Sequence, residues 1–449
     1  MRVCMIRSGV GTRSEHWMTE VAARAHRTPL TGNQIRGFWA AWGGWALDGM
    51  DSFIYSLVLA PALAELLPRS GIAATAGNVG FYGSILFAVF LIGWGCSMAW
   101  GPIADRFGRV PTLTFTILCY SLFTLLCGVT TNIWQLGAFR FLAGIGIGGE
   151  WFIGATFVAE VWPEQRRKEG AGYMHTGYYF GFFLAGLANY IVGARYGWRW
   201  MFVVGGTPAL LVTFIRYSVR ESERWTRKVG DEHRPALTEA FAKIFSPAYR
   251  RRTLLNSTYL LVSIIGLWAG SVYVPTSVRE IALRTGRTAA NAGSLASYGT
   301  MLLSAGTILG CVALPWIADR FGRRLTLGLY FLVMFLSVSI GFGWVFYLSS
   351  GALAWFFLVL FFLGLGGANF AMYTLWLPEQ YTTDCRASAF AFATSVGRFI
   401  GAGITFLVGA GVARFHTIGT PVALTSLAFV IGIVLLPFGE ETTGKPLPT

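Results

Sequence analysis

The chain has 449 residues, 54% of them apolar and only 12% charged, with 56 glycines and a mean hydropathy of +0.56. A soluble chain carries about 25% charged residues, so the composition excludes a water-soluble enzyme, and it is the reverse of the disorder signature. The formal net charge of +14 would suit nucleic acid, but the placement of the cations along the chain argues otherwise.

The first 36 residues contain six Arg and no apolar core of signal-peptide length. They read as a cytosolic N-terminal tail (1–36), with Met18 as an alternative start. A helix that crosses the bilayer core needs about 20 mainly apolar residues. Twelve stretches meet that length: Gly37–Leu67, Asn78–Trp100, Val110–Val129, Ile133–Trp162, Gly170–Ala194, Trp200–Tyr217, Thr253–Pro275, Asn291–Pro315, Leu325–Leu348, Ala352–Leu377, Ala387–Ala413 and Thr420–Pro437. They are spans 1 to 12 below. The charge-free run from Leu325 to Pro378 is divided at Ser349-Ser350-Gly351. A polar, basic linker (218–252) separates an N-terminal six-helix bundle (37–217) from a C-terminal one (253–437), and a cytosolic tail (438–449) follows.

With both termini inside, 26 of the 35 Lys and Arg fall on the cytoplasmic side and seven on the outside. That asymmetry is the positive-inside rule and sets the orientation. It predicts a multi-pass protein of a bacterial inner membrane whose loop cations are topology determinants, with lipid and not nucleic acid as the surroundings. The six cysteines show no C-x-x-C spacing, so neither a metal site nor a disulfide framework is expected.

The chain repeats itself. Gly101-Pro-Ile-Ala-Asp-Arg-Phe-Gly-Arg109 recurs as Pro315-Trp-Ile-Ala-Asp-Arg-Phe-Gly-Arg323, an offset of 214 residues. Trp162-Pro-Glu-Gln165 recurs as Leu377-Pro-Glu-Gln380, an offset of 215. Arg220-Glu-Ser-Glu-Arg-Trp225 after span 6 is echoed by Gly439-Glu-Glu-Thr-Thr-Gly444 after span 12. Six spans have been duplicated, and because six is even both copies keep one orientation. Such parallel halves place a substrate site between them near the midplane, with access alternating as they rock.

The Ala-Asp-Arg-Phe-Gly-Arg loop after spans 2 and 8 resembles the signature of the major facilitator superfamily. Arg140-Phe-Leu-Ala-Gly-Ile-Gly-Ile-Gly-Gly-Glu150 and Glu441-Thr-Thr-Gly-Lys-Pro-Leu447 are similar to its sugar-and-other-transporter branch. Trp45-Ala-Leu-Asp-Gly-Met-Asp-Ser-Phe-Ile-Tyr55 resembles the first helix of the sialate, monocarboxylate and aromatic-acid proton symporters. The fold implied is all-α and integral to the membrane, with twelve transmembrane helices in two pseudo-symmetric bundles.

An ionisable group at the bilayer centre costs at least about 2.5–3.5 kcal/mol, so each one is a functional candidate. Asp48 and Asp51 are three residues apart on one face of span 1. At 1.5 Å per residue Asp51 lies ~21 Å from the inner edge and Arg140 ~10 Å from the outer edge, the same depth in a core of about 30 Å. Arg140 favours the ionised carboxylate, whereas burial and Asp48 favour the protonated one, the balance that coupled proton transfer needs. The resemblance likewise implies a proton-linked Asp and Arg on these helices. The competing reading is a permanent ion pair, with Asp48 capping a helix break.

Arg398 lies near the midplane of span 11 and is the candidate for gripping an anionic substrate, since guanidinium holds carboxylate bidentately. His175 on span 5 stands where the resembled family usually has a cavity-lining Gln, and it can bind substrate, relay a proton, or stay neutral and hydrogen-bonded. Tyr178, Tyr179, Asn369 and Tyr373 are weaker candidates for the cavity wall. Gly144, Gly146, Gly148 and Gly149, and the pairs Gly177/Gly181 and Gly397/Gly401, permit close backbone approach. Glu150, ~15 Å further inward than Arg140, suits an inner gate.

Asp105, Arg106 and Arg109, their copies Asp319, Arg320 and Arg323, and Glu160, Arg166 and Glu379 are expected on the cytoplasmic side. Glu164, Arg167 and Arg386 fall there too. Opposite charges that latch only when that side is closed would bias the rocking equilibrium, as the resemblance also implies.

The function expected is proton-coupled symport of a small organic anion (monocarboxylate, sialate-like or aromatic acid) by a monomer, with protons as coupling ion and no other cofactor. A sugar or polyol transporter is the nearest alternative, opposed by the lack of a Gln-Gln pair on span 7. A proton-coupled metabolite or drug exporter remains open, because direction is not written in these residues. No nucleophile–base constellation or phosphate loop supports catalysis.

Overall fold

The computed structural model describes residues 29–210, 215, 218–230, 237–266, 273–415 and 417–448. Met18 and most of the N-terminal tail lie outside the described residues, and so do parts of spans 6 and 7. Seven described helices are long and apolar enough to cross a membrane, and an eighth is bent. One of these, Leu295–Tyr347, is 53 residues long and carries two predicted spans. Spans 1 to 4 and 8 to 12 are thereby accounted for. Span 5 is helical over Arg167–Ala188, but its glycines, tyrosines and His175 make it less apolar than its neighbours.

Span 1 starts five residues earlier than expected, at Gly32 in place of Gly37. Thr31 and Gln34 form a capping box, with Gln34 Oε1 accepting from Thr31 N at 2.8 Å and Thr31 Oγ1 accepting from Gln34 N at 3.3 Å. The helix Gly32–Arg69 bends by 64° between Leu59 and Pro61, because proline removes a hydrogen bond and its ring clashes with the preceding turn. Asp48 therefore caps no break and sits in continuous helix. Spans 8 and 9 form one helical run, Ala289–Gly343, interrupted at Gly322 with φ +77°. The loop after span 2 turns in the same way at Gly108, φ +107°.

Those two turns are capped alike. Glu221, following span 6, accepts from Val110 N at 3.0 Å. Glu441, following span 12, accepts from Arg323 N at 3.0 Å and Arg324 N at 3.2 Å. Carboxylates at helix N-termini satisfy orphan donors and oppose the helix dipole. The faint echo between the two tails in sequence is thus a matched pair of caps on spans 3 and 9.

Apolar side chains face outward, and the buried charges lie within an otherwise apolar interior. Leu118, Leu122 and Leu125 on span 3 and Leu325, Leu329, Leu332 and Leu336 on span 9 are exposed at helical spacing, whereas Asp48, Asp51, Arg140, Glu150 and Arg398 are at most 4% exposed. Lipid tails give no hydrophobic drive between helices, so close backbone approach does the packing. A Cβ on Gly181 would lie 1.9 Å from Ala46 O, and one on Gly144 2.5 Å from Phe90 O. These glycines hold spans 5 and 1, and spans 4 and 2, in backbone contact. Across the two halves, span 5 packs on span 8 and span 11 on span 2.

Candidate functional site

Two clusters of charge stand out, one at mid-depth and one at the end that carries Asn33 and Leu447, the predicted cytoplasmic side.

At mid-depth Arg140 Nη1 lies 3.4 Å from Asp51 Oδ1 and 3.3 Å from Oδ2, with both side chains fully buried. The expected pair forms. The guanidinium also lies over the rings of Phe90 (4.5 Å) and Tyr55 (4.7 Å), a cation–π setting that holds it whether or not the carboxylate is charged. Asp48, one turn inward, faces Tyr120, Glu150 and Arg398.

Arg398 enters from the opposite half. Its guanidinium lies 4.3 Å over Trp94 and 5.9 Å over Trp151, and its Nη1 is buried with no hydrogen-bond partner. Around it is a set of aromatic rings. Trp45 stacks on Trp151 (5.5 Å, 18°) and on Tyr178 (4.5 Å, 27°). His175 meets Trp45, Trp151 and Tyr179 by ring contacts and lies parallel to Phe370 at 6.2 Å. Tyr179 and Phe370 complete a wall that joins spans 1, 4, 5 and 10. Trp151 Nε1 donates to Thr374 Oγ1 at 2.9 Å and so bridges the halves.

The remaining predicted wall residues are less central. Tyr373 donates to Tyr259 O at 2.8 Å and its hydroxyl pairs with Ser263 at 2.7 Å, which ties span 10 to span 7. Asn369 Nδ2 donates to Gly366 O at 2.8 Å, at the irregularity in span 10, while its buried Oδ1 has no donor. Sequence reasoning passed over Trp45, Trp94, Trp151 and Phe370. Tryptophan is too common in membrane helices to be informative until two of them flank the same guanidinium.

Glu150 is a correction. Its Oε1 accepts from Thr116 at 3.2 Å, and Oε2 lies 2.2 Å from where a Gly44 Cβ would be. It is pressed against span 1 one turn below Asp48, and thus belongs with the mid-depth cluster and not with the inner gate. Counting residues from Arg140 gave its distance along span 4 but not its neighbours.

The inner cluster links the halves. Glu160 Oε1 takes Arg109 Nη2 at 2.9 Å and Arg386 Nη1 at 2.7 Å, all three fully buried. Its counterpart Glu379 is held by Arg323 Nε at 2.9 Å and Nη2 at 3.0 Å, with Arg167 at 3.9 Å. Each half thus supplies a carboxylate gripped by one Arg of its own loop and one Arg of the other half. This corrects the alignment of the repeat: the partner of Glu379 is Glu160, and Glu164, its match by the Pro-Glu-Gln spacing, instead pairs with Arg224 at 2.9 Å. Asp105 accepts from Ala387 N (3.2 Å), Ser388 N (2.8 Å) and Ser388 Oγ (2.6 Å). Its copy Asp319 is half exposed and pairs with Lys168.

Three predicted gate residues make no bridge between halves in the contacts described. Arg166 pairs with Glu169 at 3.1 Å, within its own helix. Arg106 and Arg320 lie over the adjoining Phe107 and Phe321.

Residues 41–406 match the family described as Major Facilitator Superfamily. A probable 4-methylmuconolactone transporter of Cupriavidus pinatubonensis is 32% identical, covering 92% of this chain and 91% of its own length. The 4-hydroxybenzoate transporter PcaK of Acinetobacter baylyi is 27% identical over 79% of each chain. The solved structure of the proton:xylose symporter XylE, bound to 6-bromo-6-deoxy-D-glucose, superposes with a TM-score of 0.75 at 18% identity, covering 92% of this chain and 98% of that one. Apolar helices, duplicated halves and a charge network across the inner loops converge with the family match: the chain is a multi-pass membrane transporter and belongs to the major facilitator superfamily.

Proposed function

We propose that the protein moves small organic anions, aromatic carboxylates foremost, together with protons by alternating access. One observation carries this reading. Arg398, with a buried, unpartnered Nη1, lies against Trp151, which belongs to a ring cluster with Trp45, Tyr178 and His175. An aromatic ring stacks on such a wall while its carboxylate takes the free N–H groups of the guanidinium. A buried donor left unsatisfied is costly, and a substrate carboxylate would supply the acceptor that Nη1 lacks. Relatives named for 4-methylmuconolactone and 4-hydroxybenzoate carry cargo of this chemical class.

The buried acidic groups on span 1, Asp48 beside the Asp51–Arg140 pair, form the setting for proton coupling in this reading. The two bundles, 37–217 and 253–437, rock about the site in a bacterial inner membrane with both termini cytoplasmic, each monomer acting alone. The inner charge network is the gate closed in this state. The test is uptake into proteoliposomes under an imposed pH gradient, offering 4-hydroxybenzoate, lactate and glucose. Accumulation of the aromatic acid, lost on Arg398→Ala, supports the proposal. Glucose uptake indifferent to Arg398 overturns it.

A further inference from the structure

The mid-depth cluster holds more negative charge than its cations balance. Among the described residues it contains three fully or almost fully buried carboxylates, Asp48, Asp51 and Glu150, against two buried guanidiniums, Arg140 and Arg398. With every group ionised the cluster carries a formal charge of −1. An uncompensated charge in such a setting is strongly unfavourable, and a carboxylate relieves it by binding a proton.

Geometry says which carboxylate does so. Asp51 is held by Arg140 at 3.3–3.4 Å, so a countercharge is already in place beside it. Glu150 Oε2 is buried without a donor and lies against Gly44, one helical turn from Asp48 on the same face of span 1. Asp48 is faced by Glu150 from span 4, Tyr120 from span 3, Tyr178 from span 5, Arg398 from span 11 and Asp51 on its own helix. Glu150 is faced by Thr116 and Tyr120 from span 3. His175 meets the rings of Trp45 and Trp151.

We propose that the transported proton is carried by the Asp48–Glu150 pair, while Asp51 and Arg140 remain a fixed ion pair. The pair holds one proton when the site is empty. A monocarboxylate bound at Arg398 adds one negative charge, and the pair takes up a second proton to restore neutrality. Transport is then electroneutral, one proton per monoanion, and either member of the pair suffices for coupling. This rests on the organic-anion reading above, and the experiment separates the two.

Purified wild-type protein is titrated with 4-hydroxybenzoate in weakly buffered detergent solution containing a pH indicator. Uptake of one proton per bound anion is expected, and it should persist in Asp48→Asn and in Glu150→Gln. The double variant Asp48→Asn/Glu150→Gln should bind the anion without taking up a proton. In proteoliposomes the double variant should lose pH-gradient-driven accumulation at least tenfold, keep anion exchange, and respond to an imposed membrane potential that wild type ignores. Loss of proton uptake in either single variant overturns the shared pair, as does wild-type uptake that follows the potential. Should the double variant not fold, the single variants and the wild-type potential response still decide. A wild-type protein that binds no carboxylate overturns the function proposed above instead.

Discussion

The Asp105 carboxylate accepts from Ser388 N at 2.8 Å and from Ser388 Oγ at 2.6 Å, so the loop after span 2 caps the first turn of span 11 in the other half. A helix begins with orphan N–H groups that a local side chain ordinarily satisfies. Here the cap is supplied across the boundary that must open, so inward opening uncaps span 11. Replacing a cap by Ala costs about 0.5–2 kcal/mol. Asp105→Ala should therefore speed amide exchange over residues 387–390 by up to about thirtyfold, whereas Asp319→Ala, at a half-exposed position, should change little. Hydrogen exchange followed by mass spectrometry reads both.

Glu160 sits between two buried guanidiniums, Arg109 and Arg386. Removing one partner from a buried ionic cluster costs about 3–5 kcal/mol. Glu160→Gln should shift the protein toward inward-open states and lower its thermal midpoint in detergent. Labelling of a cysteine introduced near the inner loops reports the first effect, and a melting curve the second. Unchanged labelling and melting would remove Glu160 from the gate.

Glu441 responds to pH in a direction that follows from its bonds. Although burial pushes the other way, the hydrogen bonds from the Thr443 hydroxyl and from the backbone of Arg323, Arg324 and Thr443 hold its carboxyl below the usual glutamate value of 4.5. A folded-state value that is depressed adds stability above 4.5, and this is lost as pH falls through the lower, folded-state value. Wild type and Glu441→Gln should thus differ in melting temperature at neutral pH and converge in acid. Glu221 caps the first half in the same way, but burial raises it. The penalty of keeping Glu221 ionised is relieved as pH falls, so Glu221→Gln should show the opposite trend.

The Arg398 guanidinium lies 4.3 Å from the centre of the Trp94 ring. Lysine keeps the charge but loses the fork and the stacking surface. Arg398→Lys should raise KM for 4-hydroxybenzoate at least tenfold while leaving folding intact, and Trp45→Leu should weaken aromatic acids more than lactate. Initial uptake rates across both substrates measure this.

Much of the fold was legible from residue order alone. Runs of about 20 apolar residues can be satisfied only as helices in lipid, and two copies of Ala-Asp-Arg-Phe-Gly-Arg reveal the duplication. The Asp51–Arg140 pair followed from depth, since 1.5 Å per residue is a ruler along any straight helix. Depth carries no information about azimuth, and this is why Glu150 was placed with the gate and why the rings around Arg398 went unnoticed. Nor did a repeated Pro-Glu-Gln identify the true counterpart of Glu379.

Chain order therefore determined which residues lie in lipid, how deep each charge sits and that the halves are copies, because these depend on local periodicity and on the cost of burying charge. Which carboxylate faces which guanidinium, and that Asp105 caps a helix in the opposite bundle, was decided only when the bundles packed. Those that cross between the bundles, Glu160–Arg386, Glu379–Arg167 and Asp105–Ser388, join positions more than 200 residues apart, and helix rotation and close approach set them.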